Sequence, residues 1–194
     1  MRIAILGWGS LIWDKRNLKI DKIVGDSQYQ GWYNTGPSLP IEFARISDDG
    51  RLTLVIKEGV QSVTTLYSIS MCKDLDIAIL NLATREGSCT NKIGYYLKQG
   101  NKVYPEDFPY KNILQIWIEQ CNNIDAIVWT NLSIRFHDKT HQEFNDNNVI
   151  AYLSGLPIEK RGKAEEYIRK TPVQIQTPIR TAIERSELRW TPIE

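Results

Sequence analysis

A four-residue apolar run, Ile3-Ala4-Ile5-Leu6, is cut short by Gly7-Trp8-Gly9-Ser10 and resumes as Leu11-Ile12-Trp13. The run reads as a buried strand, and a glycine pair directly behind a strand marks a tight turn where the backbone comes close to another group. Such a loop can aim several N–H groups at one point and form an anion-binding nest, to which Ser10 adds a hydroxyl. A blander reading is a turn of hydrophobic core whose glycines serve packing. A dinucleotide fingerprint fails on these residues. Its third glycine would fall at Ile12, and Asp26, the nearest acidic residue for the end of a second strand, follows no convincing strand.

The rest of the chain narrows the class. At 194 residues without internal repeats it suits one domain with a full core, residues 1–194. A formal net charge of +1 gives no bulk electrostatic case for nucleic acid or acidic lipid. No apolar run approaches the roughly 20 residues of a membrane helix, and the N-terminus reads as a strand rather than a signal peptide. Cys72, Cys89 and Cys121 are odd in number and lack a C-x-x-C spacing, which suggests free thiols in a reducing cytoplasm. The oligomeric state is not legible.

Lys15 to Tyr33 is polar and irregular, and Gly36-Pro37-Ser38-Leu39-Pro40 is a rigid turn. Ile41 to Ile46, Arg51 to Lys57 and Ser62 to Ile69 read as an antiparallel meander, with Ser47-Asp48-Asp49-Gly50 as its first turn. Asp74 to Arg85 is the clearest helix, with Leu75, Ala78, Ile79 and Leu82 at helical spacing and Gly87 as its C-cap. Ile93 to Lys98 and Lys102 to Tyr104 form a second hairpin. Asn112 to Asn122 is a helix and Ala126 to Leu132 a strand. His137 to Asn148 is a loop or helix surface. Three helices follow at Val149 to Leu156, Glu159 to Lys170 and Pro178 to Ser186. The segment from about 157 is a helical extension, too short at roughly 40 residues for a core of its own.

Glu86 continues the spacing of Leu75, Ile79 and Leu82, so it extends an apolar stripe into the last turn of its helix. Partial burial and the helix dipole both disfavour negative charge there, a setting suited to a general base near neutral pH. The alternative is a helix that frays at Arg85 and leaves Glu86 solvated.

The two regions together resemble the ChaC-like and gamma-glutamylcyclotransferase enzymes. GWGSLIW is similar to that family's opening GYGSLIW loop, with Trp8 where the family usually has Tyr. Leu82-Ala83-Thr84-Arg85-Glu86 followed by Gly94-Tyr95 resembles its leucine, Arg-Glu and glycine-tyrosine pattern, with a longer intervening loop, GSCTNKI. The resemblance implies an α+β fold with a mixed, barrel-like sheet and peripheral helices. It implies Glu86 as catalytic acid/base, and substrate binding by Gly7, Trp8, Gly9, Ser10, Leu11 and Tyr95. The implied reaction releases 5-oxoproline from a small-molecule gamma-glutamyl peptide or amine, without metal or cofactor and without nucleic acid or membrane partners. A non-catalytic binding or interaction protein on the same fold is the alternative.

Other constellations are weaker. His137 and His141 could share a metal on a helix, but no third ligand is obvious and a solvated pair is the simpler reading. Cys72 and Cys89 read as buried and inert. Ser10 lacks the G-x-S-x-G elbow of a nucleophile. Trp8, Trp13, Trp32 and Tyr33 line a pocket or pack a core. Arg45 and Ser38 meet a substrate or rim the sheet.

Overall fold

The computed structural model describes residues 1–25 and 28–193, so Asp26 lies outside the described residues. The strands are β1 (Ile3–Gly7), β2 (Ser38–Leu39), β3 (Ile41–Ile46), β4 (Leu52–Ile56), β5 (Val63–Thr64), β6 (Leu66–Ile69), β7 (Ile93–Leu97), β8 (Lys102–Tyr104) and β9 (Ala126–Thr130). The helices are α1 (Leu75–Glu86), α2 (Lys111–Gln120), α3 (Phe136–Thr140), α4 (Asp146–Ser154), α5 (Ile158–Lys170) and α6 (Pro178–Arg185). The chain clusters into two compact units, one of Met1–Gly7, Leu11–Leu39 and Thr64–Leu132, the other of Trp8–Ser10, Pro40–Val63 and Ser133–Glu194.

The first unit is built on a five-stranded sheet in the order β6-β1-β9-β7-β8. β1 runs parallel to β9, with Ile3, Ala4 and Ile5 opposite Ala126, Ile127 and Val128. β6 pairs antiparallel with β1, and β7 pairs antiparallel with both β9 and β8. All five residues of β1 are buried, which its unbroken apolar sequence requires of an interior strand. Each large aliphatic side chain buried there contributes about 1.5–3 kcal/mol. Helices α1 and α2 both pack against β7 and β9. Asp74 caps α1 by accepting from the Ile77 N–H at 3.1 Å, and Gly87 closes it in the left-handed region at φ 60°.

Two expectations are corrected. Leu66–Ile69 does not continue a meander from β4 but pairs antiparallel with β1, with Leu6 opposite Tyr67. The α+β class stands, yet the sheets of the described residues are an open five-stranded one and two two-stranded ladders, β2-β5 and β3-β4, with no closed barrel among them.

The second unit packs helices on the β3-β4 hairpin, whose turn is closed by the Gly50 N–H donating to the Ser47 carbonyl at 2.9 Å. Gly50 sits at φ 86°, which explains a glycine there. Helices α3 and α6 lie against β3, and α5 against β4. Residues after Pro157 cluster with this hairpin rather than with one another alone. Glu42 of β3 is 1% exposed. Its carboxylate accepts from the Thr177 hydroxyl at 2.5 Å, the Ile179 N–H at 3.2 Å and the Phe43 N–H at 2.7 Å. Thr177 is also the N-cap of α6, so one buried carboxylate ties that helix start to the hairpin. Burial pushes the Glu42 carboxyl above the ordinary glutamate value, against the lowering effect of these hydrogen bonds and of Lys57.

Candidate active site

Glu86 is the last residue of α1, and its side chain is 17% exposed. The partial burial that its place on the apolar stripe implies is therefore present. The buried face follows the sequence reading at Ala78, Ile79 and Leu82 and adds Ala83 and Arg85, while Leu75 is only half-buried. Arg85 lies at the edge of this face with its guanidinium buried, and Glu86 is partly covered beside it.

Arg85 is the residue that sequence reasoning missed. Its guanidinium is 3% exposed and donates from Nη1 to Glu86 Oε1 at 2.6 Å. On its other side Nε and Nη2 both donate to the Asp14 carbonyl oxygen, at 3.1 and 2.5 Å. Asp14 ends the stretch that begins at the glycine loop, so a single side chain links that stretch to the base candidate. The Asp14 carboxylate lies 4.0 Å from Arg85 Nη2 and pairs with Arg16 at 3.0 Å. A charge-assisted fork of this kind suits guanidinium geometry and holds a buried cation against two anions. The available signal was the continuation of the 78, 82, 85 spacing into a charged residue.

The loop residues divide between the units. Gly7 and Leu11 belong to the first, Trp8, Gly9 and Ser10 to the second. Gly7 is buried against Trp32, whose ring a Cβ would meet. Trp8 and Leu11 are buried, and Ser10 is half-buried. A Cβ at Gly9 would overlap the Tyr167 hydroxyl, so the close approach that the glycine permits is, in this structure, to a side chain of α5. Tyr95, on β7, stacks on Tyr104 at 5.8 Å between ring centroids, and a Cβ on its neighbour Gly94 would meet the Trp129 indole.

The remaining candidates each make local contacts within their own unit. Ser38 helps to line a cleft of about 390 Å³ in the first unit, together with Thr35, Pro37, Ile113 and Trp117. Trp117 fixes one wall by donating from its indole N–H to the Thr35 carbonyl at 2.8 Å. Arg45, in the second unit, donates to the Ser133 carbonyl at 3.0 Å. Trp32 is buried in the core, as the packing reading has it. His137 and His141 are both exposed, and the described residues contain no group of three or more His, Cys, Asp or Glu placed to hold a metal. All three cysteines are free; Cys72 is buried, but Cys89 is exposed, contrary to expectation. No helix among the described residues is long and apolar enough to cross a membrane.

Comparison with known proteins adds little to this geometry. No family model matches the chain, and no solved structure matches it. The DNA replication and repair protein RecF of Rickettsia typhi is 31% identical over 113 residues, covering 56% of this chain and 31% of that protein. The chain thus spans about a third of the length of this curated relative.

Proposed function

We propose that the chain is a gamma-glutamylcyclotransferase-like enzyme that releases 5-oxoproline from a small gamma-glutamyl peptide or amine. The observation that carries this reading is the link from Asp14 through Arg85 to Glu86, because it ties the residue directly after the GWGSLIW stretch to the Arg-Glu pair on which the resemblance also rests. The proposed fold is the family's, in a form whose strands stay open.

The chemistry has a plain logic. The substrate's α-amine attacks its own γ-carbonyl carbon, an intramolecular step that spares several kcal/mol of barrier. Glu86 takes a proton from the attacking nitrogen as the new C–N bond forms. Backbone N–H groups of the Gly7–Leu11 loop, with the Ser10 hydroxyl, hold the substrate's oxygen or carboxylate. The bond to the leaving amine then breaks, and Glu86 returns the proton to it. The reaction is redox-neutral and the proposal assigns it no metal or cofactor. Tyr95 is assigned to substrate binding. The proposed compartment is the cytoplasm, which suits three free thiols.

The second reading is a non-catalytic small-molecule binding or interaction protein on the same fold; the Tyr167 hydroxyl stands where a ligand group would approach Gly9, which favours a packing role for that glycine. The replication and repair role in the relative's name gains no support from a net charge of +1. Incubation with a panel of gamma-glutamyl peptides and amines separates the two readings. Release of 5-oxoproline from any member supports the enzyme; binding without release supports the alternative.

A further inference from the structure

We propose that Arg85 is the positioning residue of this site: it aims one carboxylate oxygen of Glu86 by clamping the Asp14 carbonyl. The inference rests on the enzymatic reading above and assigns a role to a residue that touches the base rather than the substrate.

Three observations converge. First, the guanidinium plane has two of its donors on one oxygen, Asp14 O, at 3.1 and 2.5 Å, so the direction of its third donor is fixed. Second, that third donor, Nη1, meets Glu86 Oε1 at 2.6 Å, which pins one oxygen and sets the orientation of the other. With Oε1 on Arg85, Oε2 is the oxygen assigned to the amine proton. Third, the cation is almost fully buried, so its geometry is over-determined by packing, whereas an exposed ion pair would sample many arrangements. Arg16 closes the cluster from outside, with its guanidinium on the Asp14 carboxylate at 3.0 Å and its Nη1 3.5 Å from the Arg85 carbonyl. Lysine cannot replace Arg85 here. A single ammonium on a flexible stem cannot span a main-chain carbonyl and a carboxylate with fixed geometry.

A misplaced catalytic group costs on the order of 10²-fold in rate even when it is otherwise intact. Arg85→Ala is therefore expected to lower kcat by about that factor while KM stays near the wild-type value. Added guanidinium chloride, at millimolar concentration, is expected to restore part of the lost kcat by occupying the vacated space. A purely structural role for Arg85 does not produce rescue of turnover in a folded variant. Arg85→Lys, which keeps the charge, is expected to fold, to lose kcat, and to be indifferent to guanidinium; it carries the test if Arg85→Ala does not fold. Wild-type kcat in folded Arg85→Lys overturns the inference, as does a rise in KM with kcat intact. A wild type that turns over no gamma-glutamyl substrate overturns the enzymatic reading and this inference with it. An active wild type with unaffected variants overturns this inference alone.

Discussion

Arg85 reaches 71 residues back along the chain to place two hydrogen bonds on the main-chain oxygen of Asp14. That single acceptor ends the stretch that opens with the glycine loop, and the same guanidinium holds the Glu86 carboxylate. The contact ties the residue that follows the GWGSLIW stretch to the Arg-Glu pair that ends α1.

Gly9 is expected to act first on stability. Gly9→Ala puts a methyl group onto the Tyr167 hydroxyl, and Tyr167 is buried with its ring edge-on to Phe43 at 6.4 Å. Overpacking of this kind costs about 1–3 kcal/mol. Tyr167→Phe removes the clashing oxygen, so in the double variant the loss should be smaller than the sum of the two single losses. Denaturant unfolding of all four proteins measures this coupling; strictly additive losses contradict the packing described.

Gly94→Ala tests the β7-β9 pair. The added methyl would press on the Trp129 indole, which is fully buried. A loss of about 1–3 kcal/mol is expected, again by overpacking, with the variant still folded. Chemical denaturation checks it, and an unchanged midpoint contradicts the close approach of strand and ring.

Glu42 predicts a pH dependence of stability. Desolvation raises its folded-state value above the unfolded reference, so between the two the folded protein binds more protons than the unfolded one. The contribution of this group to stability is therefore fullest below the unfolded value and is lost as pH rises through the raised folded value. Glu42→Gln removes this dependence. Across that window the difference in unfolding free energy, wild type minus variant, should fall with increasing pH. A difference that stays flat or rises contradicts the assignment.

Local elements were legible in the sequence because their signals are local. Asp74 and Gly87 mark the ends of α1, Ser47 to Gly50 turns the first hairpin, and Gly100 with Asn101 turns the second. The pairing of β6 with β1, and of β1 with β9, was not legible, since Leu66–Ile69 carries the same apolar pattern whichever neighbour it takes. The apolar face of α1 was legible at Ala78, Ile79 and Leu82, but buried Arg85 at its edge was not, and the outward side is also apolar, with Ile77 55% and Leu80 57% exposed. With apolar residues on both sides, spacing alone could not choose between Arg85 and Glu86 as the inward group. Short α3 was hidden in a polar segment in which Phe136 is its only buried residue.

The central claim is that Glu86 shuttles the proton in the release of 5-oxoproline. Glu86→Gln keeps size and much of the hydrogen bonding but removes the basic carboxylate. General acid–base catalysis is typically worth ~10²–10⁴-fold, and kcat should fall by about that factor while substrate affinity changes little. The decisive measurement is 5-oxoproline release by wild type and folded Glu86→Gln on the same gamma-glutamyl substrate panel. Turnover by the wild type and a loss of that size in the variant is the result the account predicts. Undiminished turnover in folded Glu86→Gln, or a wild type that binds a panel member and releases nothing, would contradict it.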